Sequence, residues 1–121
     1  MAIRRVLAAG TFALACAATP SAFAHAKLQS SDPQAGSTLD VAPKQVRLKF
    51  NETLEPAFSR IRVTGAGNKE IALAATTVDK AEPTVMTAAL PPLSAGEYHI
   101  QWTTMTRDGH KVKGEVVFKV R

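Results

Sequence analysis

Apolar and polar residues alternate along most of the chain beyond residue 25. Val46, Leu48 and Phe50 are separated by Arg47 and Lys49, and Ile61 and Val63 are flanked by Arg60 and Arg62. A period of two places one set on each face of a strand, so these segments predict half-buried β-strands. The longest such segment follows Gly96, with Tyr98, Ile100 and Trp102 on one face and His99, Gln101 and Thr103 on the other. A last one runs through Val112 to Val116, Phe118 and Val120, against Glu115, Val117 and Lys119. Turn signals punctuate these runs: Ser31-Asp32-Pro33 with Gly36, Ala42-Pro43, Gly65-Ala66-Gly67-Asn68, Glu82-Pro83, Pro91-Pro92 and Ala95-Gly96. No long stretch has helical period, and residues 53–59 have room for one helical turn that Pro56 limits. Short strands with regular punctuation predict an all-β fold, an antiparallel sandwich or barrel. Its expected core is Leu48, Phe50, Ile61, Val63, Tyr98, Ile100, Trp102, Val116, Phe118 and Val120, each contributing roughly 1.5–3 kcal/mol by burial.

The first two dozen residues follow a different pattern. Arg4 and Arg5 precede an uncharged, mostly apolar run over residues 6–18, and Ala22-Phe23-Ala24 has small residues where a signal peptidase reads them. Residues 1–24 are therefore expected to be a signal peptide, with residues 25–121 forming one exported, soluble domain. The apolar run falls short of the roughly 20 residues needed to span a bilayer. The residues around the arginine pair match a twin-arginine signal only loosely, which leaves the export route open. Cys16, the only cysteine, lies within this leader, so the cleaved chain has no thiol for a disulfide, a metal or catalysis. Lipidation of Cys16 would instead keep His25 inside the chain, but Ala13-Leu14-Ala15 fits the lipoprotein pattern poorly.

Loss of Arg4 and Arg5 lowers the formal net charge from +5 to +3. Lys44, Arg47, Lys49, Arg60, Arg62, Lys111 and Lys113 are dispersed over alternating segments. Nucleic-acid binding, which calls for a concentrated basic stripe with aromatics, is not expected.

Cleavage after Ala24 would make His25 the first residue. An amino-terminal histidine offers its α-amine and ring Nδ1 together, a chelating pair suited to Cu(II), which favours tetragonal nitrogen and oxygen donors. On its own, a histidine at this position is equally well an accident of the cut. Asp108-Gly109-His110 lies between the two best strands. In an extended segment residues i and i+2 point to one side, so the carboxylate and imidazole are expected to converge, and Gly109 lets the backbone bend between them. Alone, an Asp-x-His sequence is often only a hairpin turn. With His25 it completes three nitrogens and one oxygen, an equatorial set for one Cu(II). The absence of cysteine ligands argues against blue copper and structural zinc. Glu52, at the end of Phe50-Asn51-Glu52, offers a further oxygen or a hydrogen bond to a ligand, or is simply exposed. His99 is assigned to the polar face of its strand, with a surface or supporting role.

Several of these residues together resemble the CopC family of periplasmic copper-resistance proteins. They are His25-Ala26-Lys27-Leu28 with Ser31-Asp32-Pro33 and Gly36, Phe50-Asn51-Glu52, residues 93–98 leading to Trp102, and Asp108-Gly109-His110 followed by Gly114, Phe118 and Val120. The resemblance implies an immunoglobulin-like Greek-key β-sandwich or barrel, a periplasmic location and a Cu(II) site made by the amine and ring of His25, Asp108 and His110. In some members a glutamate matching Glu52 joins the site. Members with a second, Cu(I) site carry a methionine-rich loop, whereas residues 64–77 here contain neither methionine nor histidine and Met86 and Met105 are isolated. No Cu(I) site is expected, since soft Cu(I) wants several thioethers. The implied role is capture, storage or delivery of one Cu(II) by a monomer, with a CopD-type inner-membrane copper transporter as a separate partner.

Two other readings stand beside this one. An amino-terminal histidine with a second histidine can form the copper brace of lytic polysaccharide monooxygenases. Against an enzyme of that kind, the domain is small, Asp108 would occupy an equatorial position, and aromatic residues are few for a flat polysaccharide-binding face. The remaining alternative is a metal-free adhesion or carrier domain.

Overall fold

The computed structural model describes residues 26–121 and Gly10. The proposed leader, apart from Gly10, and His25 lie outside the described residues.

Nine strands form two sheets among the described residues: β1 (Leu28–Asp32), β2 (Thr38–Leu39), β3 (Gln45–Phe50), β4 (Arg60–Thr64), β5 (Glu70–Ile71), β6 (Thr77–Val78), β7 (Val85–Ala89), β8 (Gly96–Met105) and β9 (Lys111–Val120). One sheet has the order β1-β3-β7-β6 and the other β2-β9-β8-β4-β5. All pairings are antiparallel except β2 with β9. The two sheets stack as an immunoglobulin-like Greek-key sandwich. No helix among the described residues is long and apolar enough to cross a membrane.

The alternation along each strand sets which side chains meet. All ten expected core residues are buried, and Val46, Leu54, Val85, Met86 and Ala88 are buried with them. Phe50 and Trp102 join the sheets, ring centroids 4.8 Å apart and nearly perpendicular. Within the second sheet, Tyr98 stacks on its cross-strand partner Phe118 at 5.4 Å, and its hydroxyl donates to the carbonyl of Ser94 at 2.7 Å. Trp102 lies opposite Gly114 on β9, and a Cβ at position 114 would come within 2.3 Å of its Cζ2. The glycine is therefore a packing requirement in a strand that otherwise favours larger residues.

Strand β7 did not stand out by alternation. Val85 and Met86 are both buried, although successive residues of a strand point to opposite faces, and β7 pairs with β3 on one side and β6 on the other. Met86 is wholly enclosed in the core. The helical turn expected over residues 53–59 is present as a single 3-10 turn, Pro56–Phe58, with the proline at its start.

Candidate metal centre

The β8–β9 hairpin carries Asp108 and His110 in the turn that joins its strands. The local chain is not extended, as the i, i+2 argument assumed. The Gly109 N–H donates to the carbonyl of Thr106 at 2.9 Å and the Thr106 N–H to that of His110 at 3.2 Å, closing a tight turn with Gly109 at φ +86°. Glycine occupies this left-handed conformation without the steric penalty other residues meet. The two side chains converge all the same, with His110 Nδ1 and Asp108 Oδ2 2.9 Å apart.

Thr106 anchors the pair from beneath. It is only 2 % exposed, and its hydroxyl donates to Asp108 Oδ1. The His110 N–H also points to that oxygen, at 3.4 Å. Hydrogen bonds to the ionised form hold it in place, so the Thr106 hydroxyl first, then His110, lower the Asp108 pKa from 3.8 to about 2. The result is a fixed anionic oxygen beside an imidazole, both open to solvent.

Glu52 reaches the same end of the sandwich by way of the segment after β3. The end of β3 and that segment are tied down at several points: Phe50 N–H to Thr84 O at 2.9 Å, Leu54 N–H to Pro83 O at 3.0 Å and Glu55 N–H to Met105 O at 3.0 Å, with a lone bridge between Leu54 and Thr106. Asn51, Glu52, Thr53, Thr84, Arg107 and Asp108 line one shallow depression of about 490 Å³. Asn51 also fixes the incoming chain. Its Oδ1 accepts from the Lys27 N–H at 2.7 Å, while its own N–H donates to the Lys27 carbonyl at 3.1 Å, and Ala26 is buried.

His25, the other candidate ligand, lies outside the described residues. Among those described, no group of three His, Cys, Asp or Glu side chains is placed to hold a metal ion. Asp108 and His110 bring one oxygen and one nitrogen donor together, which by themselves fall short of a metal-binding set. His99 lies on the outer face of β8, with Nδ1 3.0 Å from Glu115 Oε1 and Nε2 3.5 Å from Glu97 Oε1. Thr106 and Asn51 were not among the expected functional residues. Thr106 had a local signal, a hydroxyl two residues before Asp108, whereas the role of Asn51 depends on a contact spanning 24 positions.

Residues 28–121 match the CopC domain. Copper resistance protein C of Escherichia coli is 36 % identical over 109 residues, covering 84 % of this chain and 85 % of that protein. Copper transport protein CutJ of Bacillus subtilis is 33 % identical over 101 residues, 83 % of this chain but 19 % of that longer protein. Among solved structures, CopC from Methylosinus trichosporium OB3b superposes with a TM-score of 0.75 at 29 % identity, covering 79 % of this chain and 93 % of that one. The crystal structure of PcoC, described as a methionine-rich copper resistance protein from Escherichia coli, gives 0.73 at 33 % identity, with 81 % and 100 % covered. The shared domain, the common sandwich and the match along nearly its whole length place this chain in the CopC family of copper-resistance proteins.

Proposed function

We propose that this protein binds a single Cu(II) in the periplasm and hands it on without chemical change, as a carrier rather than an enzyme. The observation that carries the reading is the contact between Asp108 and His110, an anchored carboxylate and an imidazole 2.9 Å apart at an exposed turn. An oxygen and a nitrogen donor side by side suit Cu(II), and two more nitrogens complete the tetragonal set. His25 supplies both, through its α-amine and ring, once residues 1–24 are removed. The anchoring of Ala26 and Lys27 beside Asn51 supports this assignment, because His25 is bonded to Ala26 and Asn51 adjoins Glu52 in the depression that Asp108 also lines. Glu52 contributes an oxygen from that wall. A CopD-type membrane transporter is the proposed recipient, in keeping with the inclusion of a similar segment in the much longer CutJ.

Native mass spectrometry of the exported protein, with and without Cu(II), tests the proposal. The expected species begins at His25 and gains one copper. A different first residue, or no stoichiometric copper, would overturn it.

A further inference from the structure

Basic residues that are dispersed in the sequence are gathered by strand register. Arg60 on β4 lies opposite Thr103 on β8, which lies opposite Lys113 on β9. Neighbouring strands are about 4.8 Å apart, so Arg60 and Lys113 flank Thr103 at about 10 Å, and Lys111 follows on the same face about 7 Å along β9. Ala57, Phe58, Arg60, Thr103, Lys111 and Lys113 line one shallow depression of about 610 Å³. Phe58 is 51 % exposed there.

Among the described residues, no ion pair neutralises the charge of this face. The nearby Glu70 pairs with Arg62 at 3.0 Å, and Glu115 is engaged by His99 and Gln101. Arg60, Lys111 and Lys113 make no ion pair among the described residues. Lys111 directly follows His110, so the cationic face borders the metal centre. Positive charge there does not help to hold a cation, and it suits recognition of an anionic surface.

We propose that Arg60, Lys111 and Lys113, with Phe58 among them, form the docking face for an acidic surface on a copper-exchanging protein, bringing the Asp108–His110 turn against that partner. The inference rests on the Cu(II) reading above. Rigid strands present the three cations at fixed spacing, which selects carboxylates at matching positions, and an arginine with an exposed aromatic is typical of the anchoring centre of an interface. An anionic lipid surface fits less well. Three cations alone attract a membrane only weakly, and no amphipathic helix among the described residues adds to them.

The test is a titration of the copper-free, ¹⁵N-labelled exported protein with a synthetic Glu-rich peptide and, separately, with phosphatidylglycerol vesicles. Peptide-induced shifts are expected at residues 57–60, 103 and 111–113, weakening with salt. Arg60→Glu with Lys113→Glu should reduce peptide affinity at least about tenfold, whereas Lys80→Glu, an exposed charge outside the patch, should leave it unchanged. Saturable shifts elsewhere, an equal loss in Lys80→Glu, or vesicle binding without a peptide response would overturn the proposal. Copper loading of the same samples separates the two ideas. Normal Cu(II) uptake with no peptide response removes the docking face alone, whereas failure of the wild type to load removes the reading beneath it.

Discussion

Asp108 derives its acidity from a buried threonine hydroxyl and an adjacent imidazole. Without the hydroxyl, in Thr106→Val, its carboxyl should titrate closer to 3.8, and Cu(II) affinity should fall by roughly 10- to 100-fold, as when a group orienting a ligand is lost. Carboxyl NMR titration and competitive Cu(II) binding measure the two effects. The sign of the pH response follows from the depressed pKa. A carboxyl held below its unfolded value favours the fold above about pH 3.8, and that contribution disappears as the pH falls toward about 2. Urea denaturation of wild type and Asp108→Asn should therefore show a stability gap at neutral pH that narrows across this window. Asp108 is still ionised at pH 4, so it does not account for copper release above that point, whereas the nitrogen donors bind only when deprotonated. Cu(II) affinity that stayed flat from neutral pH to about 4 would exclude an amine and imidazoles as ligands.

The β8–β9 hairpin both presents the site and closes the core. Trp102→Ala should cost about 3–5 kcal/mol through the cavity it leaves. Gly114→Ala should cost about 1–3 kcal/mol through overpacking against the same indole, since the added methyl would meet Cζ2 at 2.3 Å. Equilibrium urea denaturation measures both, and an unchanged midpoint in either variant would contradict the packing described. Strands β3, β4, β8 and β9 were legible in the sequence because each has one face in the core and one in water. Strand β7 was not, since Val85 and Met86, neighbours that point to opposite faces, are both buried and interrupt the alternation. The two-residue strands β2, β5 and β6 are too short to show any period and exist only through the neighbours they pair with.

At the level of the whole molecule, the centre was legible where it is local and hidden where it is assembled. Asp108, Gly109 and His110 lie within one turn, so their convergence could be read from adjacent letters, although a left-handed glycine rather than an extended strand brings it about. The hold of Asn51 on Lys27 joins segments far apart in sequence, and the alignment of Arg60 with Lys113 needs the register of three strands. Neither leaves a periodic trace. Such long-range pairings also tie Lys27 to Asn51, which lines one depression with Asp108, and this link supports the proposed role of proteolytic maturation in creating a copper site. The most direct measurement compares Cu(II) affinity of the protein beginning at His25 with that of a form carrying one additional alanine ahead of it. The account predicts that the extra residue, by displacing the free amine, weakens binding by more than about tenfold, and equal affinity in the two forms would contradict it.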